Sequence, residues 1–243
     1  MDKTNRQHIT MDAITACRVC LCGTANPFAR VDNRDYWSCP TCTSIFLDDT
    51  QLPDRQTEYQ QYLLHNNDPK DPGYQAFLNK LAEPLLKKLE PGMKGLDFGC
   101  GAGPALGLML ADMGYEMNFY DPFFFQPDTS VLHKTYDFIV CSEVAEHFHQ
   151  PSHEFARLDA MLNPNGWLGI MTCFQTDDLK FANWHYRRDL THVVFYREET
   201  FRYLAWQFGW DCQIPAKNIV LLQKSGSIAP FSRRKQIPER RPR

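Results

Sequence analysis

The stretch LDFGCGAGPAL, Leu96 to Leu106, places three glycines on alternate positions directly after an apolar run, with Asp97 two places before the first. Glycine tolerates backbone angles that a Cβ forbids and admits a ligand close to the main chain, so such a cluster at a strand end predicts a binding turn. The surrounding pattern agrees. From Gly95 onward, strand-like apolar runs (GLDFG, EMNFYD, YDFIVC, GWLGIMTCF) alternate with helical patterns (PALGLMLADMG, FHQPSHEFARLDAMLN). That alternation predicts an α/β chain with a doubly wound, mostly parallel sheet, whose ligands bind beyond the carboxyl ends of the strands. After the helical ETFRYLAWQFG, the stretch WDCQIPAKNIVLLQKS reads as two short strands able to pair as a hairpin, an antiparallel close to the sheet.

A dinucleotide-binding turn needs G-x-G-x-x-G, and here Gly99, Gly101 and Gly103 bring the third glycine one place early, followed by Pro104. Written with Asp97, the stretch is D-x-G-x-G-x-G, which resembles the first motif of the class I S-adenosylmethionine-dependent methyltransferases. The resemblance implies S-adenosylmethionine as cofactor and a mostly parallel, seven-stranded, Rossmann-like sheet. This cofactor carries no phosphate, so its methionyl end calls for main-chain contact and an acid rather than a helix-dipole anion site. Asp97 is expected to serve its ammonium group, directly or through water. NFYDPFFF ends the second strand in Asp121, about twenty residues past the glycines, the position of a ribose-binding acid. A carboxylate there accepts hydrogen bonds from both ribose hydroxyls, although capping a helix ahead of Pro122 is also open to it. Phe123 or a neighbour is expected against the adenine. Only PFFFQPDTSVLHKT separates Asp121 from the fourth strand, so the third strand and its helix are shortened, and Asp128 is a weak candidate for an adenine-binding acid.

The fourth-strand region, YDFIVCSEVAEHF, runs from Asp137 into E-x-x-E-H, that is Glu143, Glu146 and His147. On a helix these positions share a face. Similar sequences occur in methyltransferases of the ubiquinone-biosynthesis type and in small-RNA 2'-O-methyltransferases, some of which hold magnesium there with a further histidine, a place His192 can take. Hard cations favour oxygen ligands, so magnesium is the lesser expectation. Glu143 is instead expected to contact the cofactor or to cap the helix, and a hydrogen bond within the fold is the alternative role for His147. His147 and His192, as imidazoles that titrate near neutral pH, are the candidate catalytic bases. His192 lies in WHYRRDLTHVVFYREETFRYL, which resembles the D-x-T-H sequence of one large methyltransferase subgroup. Its loop gathers Trp184, His185, Tyr186, Arg187, Arg188 and Asp189 where a substrate wall is expected, with bracing of the loop as the alternative role. Upstream, Tyr62, His65 and Asn67 belong to a surface linker or to a flap over the site.

CRVCLCG and CPTC supply two C-x-x-C pairs, Cys17 with Cys20 and Cys39 with Cys42, at close to zinc-ribbon spacing. Four thiolates leave a zinc ion no open position, so the expected role is structural or docking. Cys22, ahead of Gly23, can replace Cys17 or Cys20 as a ligand, and unliganded thiols or a redox dithiol are the competing reading. The remaining cysteines, Cys100, Cys141, Cys173 and Cys212, sit singly in apolar stretches. A ribbon ahead of this domain resembles the sugar C-methyltransferases, but their further C-terminal domain has no counterpart here.

The expected organisation is a zinc-ribbon-like segment over 1–50, a linker with N-terminal helices over 51–92, the cofactor-binding domain over 93–226, and a basic, disordered tail over 227–243. A net charge of -3 gives no global pull toward nucleic acid or membrane. The polar N-terminus and the lack of a bilayer-length apolar run predict a cytoplasmic protein without a membrane partner. The expected acceptor is a small molecule with an oxygen, nitrogen or carbon nucleophile. The alternatives are a non-catalytic scaffold or adaptor, and an RNA methyltransferase using the tail SRRKQIPERRPR.

Overall fold

A computed structural model of the chain describes residues 15–64, 67–125 and 129–226. The expected tail over 227–243, His65 and Asp128 lie outside the described residues. The chain begins with a small antiparallel sheet of β1 (Thr15–Ala16), β2 (Thr24–Val31), β3 (Arg34–Ser38) and β4 (Ile45–Leu47). Asp32 and Asn33, both at positive φ, close the β2–β3 hairpin as a two-residue turn matched to strand twist. Helix α1 (Arg55–Tyr62) is capped by Asp54, which accepts from the Thr57 amide. Helix α2 (Pro72–Leu86) starts on an Asp71 cap with Pro72 in its first turn. Pro84 falls in the last turn of α2, so the helix runs through it while Leu78, Leu81, Ala82 and Leu85 are buried.

The main sheet follows, built from β5 (Lys94–Phe98), α3 (Ala105–Asp112), β6 (Glu116–Tyr120), β7 (Tyr136–Ser142), α4 (Pro151–Met161) and β8 (Leu162–Met171). A long segment then leads to β9 (Val194–Phe195), α5 (Glu198–Phe208), β10 (Trp210–Ala216) and β11 (Ile219–Lys224). Strand order is β10-β11-β8-β7-β5-β6, with β6, β5, β7 and β8 parallel and the β10–β11 hairpin antiparallel. Six strands are described where seven were expected. A parallel strand needs a crossover of a dozen or more residues, and the described residues between β6 and β7 hold only a 3₁₀ turn at Thr129–His133.

Strand residues alternate between two cores, as period two requires. Phe138, Val140 and Leu221 face α2 and α3, while Ile139, Cys141 and Leu222 face the other side. That second core is continuous with Tyr36 and Phe46 of the N-terminal sheet. The continuity extends to hydrogen bonding, because β9 pairs with β4 through Ile45–Phe195 and Phe46–Val194. From β5 the chain steps outward to β6 and returns to β7 on the other side, so the strand order reverses at β5, where α/β sheets bind ligands. Among the described residues, no helix is long and apolar enough to cross a membrane.

Candidate active site

Gly99 and Gly101 both adopt positive φ at the end of β5. A Cβ at Gly99 would stand 2.6 Å from a Val144 methyl, and one at Gly103 would stand 2.4 Å from the Asn67 carbonyl oxygen. The bare turn therefore serves two purposes: it reaches a left-handed conformation, and it lets Asn67 and Pro69 lie against it. The Gly99 and Cys100 amides donate to the Tyr120 carbonyl at 2.7 and 3.1 Å, fastening the turn to β6.

Asp121, 7% exposed, accepts from the Gly101 amide on one carboxylate oxygen at 2.9 Å. Its other oxygen accepts from the Phe123 and Phe124 amides at 2.7 and 3.0 Å. Among the described residues no helix starts there, so the carboxylate braces the turn after β6 rather than capping a helix, and it lines the cavity. Asp97 accepts from the Gly107 amide at 2.9 Å. Burial pushes its carboxyl up to about 7, Gly107 pulls it down, and the Asp121 charge adds to the rise. All six residues named for the cofactor, Asp97, Gly99, Gly101, Gly103, Asp121 and Glu143, line one cavity of about 1120 Å³ together with His147 and His192. That volume accommodates a nucleoside-sized cofactor and a small second ligand side by side. Tyr62 lines it, its ring edge-on to Phe123 at 5.1 Å and to His147 at 5.3 Å.

The E-x-x-E-H stretch is not the α-helix its spacing suggests. Glu143 takes a left-handed φ of 54° and only a 3₁₀ turn, Ala145–His147, follows it. Glu143 consequently faces the cofactor cavity, where burial pushes its carboxyl up to about 7 against the lowering effect of Tyr186. Glu146 is fully buried behind the wall, accepting from the Tyr186 hydroxyl and, at 2.8 Å, from Thr172. Burial pushes it up to about 7 as well, and the Glu143 charge adds to the rise.

The loop after β8 supplies the opposite wall. His192 Nδ1 lies 2.7 Å from the Tyr186 carbonyl oxygen, and His147 Nδ1 lies 3.1 Å from that of Thr191. A carbonyl oxygen only accepts, so both Nδ1 atoms carry hydrogen, and in the neutral rings Nε2 is the accepting nitrogen. The two rings are 4.7 Å apart. Asp189 braces the loop by accepting from the Thr191 amide and hydroxyl at 2.8 and 2.6 Å, and its second oxygen is 4.0 Å from His192 Nε2. Ligand atoms of Glu146, His147 and His192 all lie within 4.8 Å of one another, and Glu143 stands outside that group. The Tyr186–Glu146–Thr172 network has no signal in residue spacing, because it joins side chains from three separate segments.

In the N-terminal sheet, Cys17, Cys20, Cys39 and Cys42 converge with their Sγ atoms within 4.8 Å. Cys17–Cys42 and Cys20–Cys39 are 3.6 and 3.7 Å apart. A tetrahedron with zinc–sulfur bonds of about 2.3 Å has edges of about 3.8 Å, so the cluster is compatible with a zinc ribbon. The amides of Cys20, Cys22 and Cys42 donate to the sulfurs of Cys17, Cys20 and Cys39. Cys22 is exposed and meets the cluster through its backbone, its amide and its carbonyl oxygen each 3.4 Å from the Cys20 sulfur.

A family model described as a methyltransferase domain matches residues 71–213. The chain belongs to this family. It is an S-adenosylmethionine-dependent methyltransferase carrying a four-cysteine N-terminal sheet. Among solved structures, this methyltransferase is similar to magnesium protoporphyrin IX methyltransferase from Synechocystis PCC 6803 with bound S-adenosylmethionine. The identity is 13%, 74% of this chain and 98% of that chain are covered, and the TM-score is 0.48. It is also similar to an O-methyltransferase family 2 protein from Planctomyces limnophilus DSM 3776 in complex with apigenin. There the identity is 16%, the coverage is 71% and 62%, and the TM-score is 0.47. No curated protein matches the chain.

Proposed function

We propose that this methyltransferase moves the methyl group of S-adenosylmethionine to an oxygen, nitrogen or carbon nucleophile of a small molecule held beside His147 and His192. The observation that supports this reading is a single cavity shared by the glycine turn and two imidazoles whose Nδ1 atoms face backbone carbonyls. The residues fit the cofactor: bare main chain at Gly99–Gly103 for its methionyl end, Asp97 for its ammonium, Asp121 for its ribose. When bound, S-adenosylmethionine supplies an electrophilic methyl carbon on a good leaving group. The chain orients the acceptor against it and excludes water through Tyr62 and the β8–β9 loop. His192 Nε2 takes the proton of an acidic nucleophile, and Asp189, 4.0 Å away, stabilises the resulting imidazolium.

Asp97 carries a test with a definite sign. Its folded carboxyl, near 7, is protonated at lower pH, and an ammonium ligand needs it ionised. Calorimetric titration with S-adenosylmethionine is expected to show affinity falling by about fivefold between pH 7 and pH 6, with no binding of NADH. Asp97→Asn is expected to flatten that dependence. A folded protein that takes up no S-adenosylmethionine at pH 7 would instead favour the adaptor reading.

A second reading is favoured by the donor set of Glu146, His147 and His192, whose ligand atoms lie within 4.8 Å of one another and can hold a divalent cation within the cavity wall. Ligating imidazoles generally donate their other ring N–H to a carbonyl or carboxylate, the arrangement found in both rings. Two nitrogens and one oxygen suit zinc or manganese better than magnesium. Titration with manganese(II), followed by electron paramagnetic resonance, is expected to show a bound ion that His192→Ala removes. A spectrum of free manganese throughout would leave proton abstraction by His192 as the mechanism.

A further inference from the structure

The four-cysteine sheet grips both chain segments that carry the site imidazoles. We propose that the ribbon is a positioning element for the acceptor end of the cavity, with Arg18 holding the His147 segment and Asp32 holding the His192 segment. The inference rests on the acceptor-end reading above.

Arg18 lies inside the first knuckle, between Cys17 and Cys20, with only 10% of its side chain exposed. One guanidinium nitrogen donates to the His149 carbonyl at 2.9 Å and another to the Leu47 carbonyl at 2.6 Å. The Arg18 carbonyl accepts from the Ser152 amide at 3.1 Å, and Nε pairs with Asp49 at 2.9 Å. The chain two residues after His147 is therefore tied to the knuckle from both sides. The guanidinium also lies over the Phe46 ring, at 5.2 Å, so its position follows that of β4.

The second segment is held by the far end of the same sheet. Strand β4 pairs with β9, and the Leu47 amide donates to the Val193 carbonyl at 2.9 Å. Arg187, 3% exposed, donates to Asp32 at the β2–β3 turn at 2.8 Å, and Arg34 donates to the Leu190 carbonyl at 2.9 Å. His192 stands between these attachments. The Val193 amide in turn donates to the Glu146 carbonyl at 2.9 Å, which joins the two gripped segments.

The cofactor wall is fastened differently. Tyr120 of β6, Gly107 of α3 and the amides after Asp121 hold the glycine turn and its acids. A disturbance of the ribbon should thus reach the imidazoles before it reaches the cofactor. A four-thiolate metal site contributes folding free energy directly to a sheet too small to bury much core of its own, which makes it a firm anchor for a loop wall.

The test uses the full chain with 15N-labelled histidine, comparing wild type with Arg18→Ala and with Asp32→Ala. Ring-nitrogen shifts, bound zinc and S-adenosylmethionine affinity are measured on each protein. Arg18→Ala is expected to move the His147 ring signals first and Asp32→Ala those of His192. Zinc should stay bound and cofactor affinity should stay within about twofold of wild type. Should Arg18→Ala fail to fold, Arg18→Lys keeps the charge, puts one nitrogen in place of the three that bind Asp49, His149 and Leu47, and reads the same shift. Folded variants whose ring signals stay in place would overturn the proposal. Equal loss of cofactor affinity would also overturn it, since the ribbon would then support the whole fold rather than one end of the cavity. Wild-type protein that binds no S-adenosylmethionine would defeat the function reading alone, because the ring shifts still decide this one.

Discussion

Replacing Asp121 with alanine is expected to weaken S-adenosylmethionine binding by on the order of a hundredfold, about 2.7 kcal/mol, in a calorimetric titration. The size of the effect follows from how much one carboxylate does. It accepts from the amides of Gly101, Phe123 and Phe124, so its removal leaves three buried or half-buried donors without a charged partner. Hydrogen bonds to charged groups contribute about 1.5–3 kcal/mol each. It also removes the acid that faces the cavity where ribose hydroxyls would lie. Asp121→Asn separates these contributions. The amide oxygen still serves Phe123 and Phe124 while its NH₂ opposes the Gly101 N–H, so an intermediate loss of affinity is expected. Full affinity in a folded Asp121→Ala protein would take this residue out of the cofactor site.

Cys42→Ala is expected to abolish stoichiometric zinc and to lower the thermal midpoint by roughly 10 °C or more, read by metal analysis and a melting curve. Cys42 is fully buried, its sulfur 3.6 Å from that of Cys17. Zinc bound to four thiolates contributes about 10–16 kcal/mol in small ribbons, comparable to the whole stability of a domain of about 5–15 kcal/mol. The second core runs from this sheet into the main one, so the loss should not stay local. Cys22→Ser is the matched control. Cys22 is exposed and its backbone is what meets the cluster, so zinc and midpoint should be unchanged. Undiminished zinc in Cys42→Ala, or lost zinc in Cys22→Ser, would reassign the ligands.

The glycine turn, the acids at Asp97 and Asp121, and the two C-x-x-C pairs were legible because each is a local pattern imposed by backbone chemistry. A left-handed turn selects glycine, a strand end places the next acid at a set distance along the chain, and a knuckle needs two thiols three residues apart. The α/β alternation was legible for the same reason, since periods of 2.0 and 3.6 are properties of the chain itself. The seventh strand failed on length, because the residues between β6 and β7 cannot supply both a strand and its crossover. Helical spacing misread Glu143, Glu146 and His147, because a left-handed Glu143 turns the chain before a helix can start.

Sequence alone therefore determined the fold class, the glycine turn with its two acids and the thiol pairs, all set by interactions between near neighbours in the chain. Tertiary structure alone decided that Glu146 lies behind Tyr186 while Glu143 faces the cavity, and that carbonyls of Tyr186 and Thr191 receive both imidazoles. It also decided that β4 pairs with β9, so the four-cysteine sheet backs the segment that carries His192. Those arrangements join residues separated by up to roughly 150 positions, as Asp32 and Arg187 are, and no spacing rule reaches so far. Packing of one segment against another is what selects them.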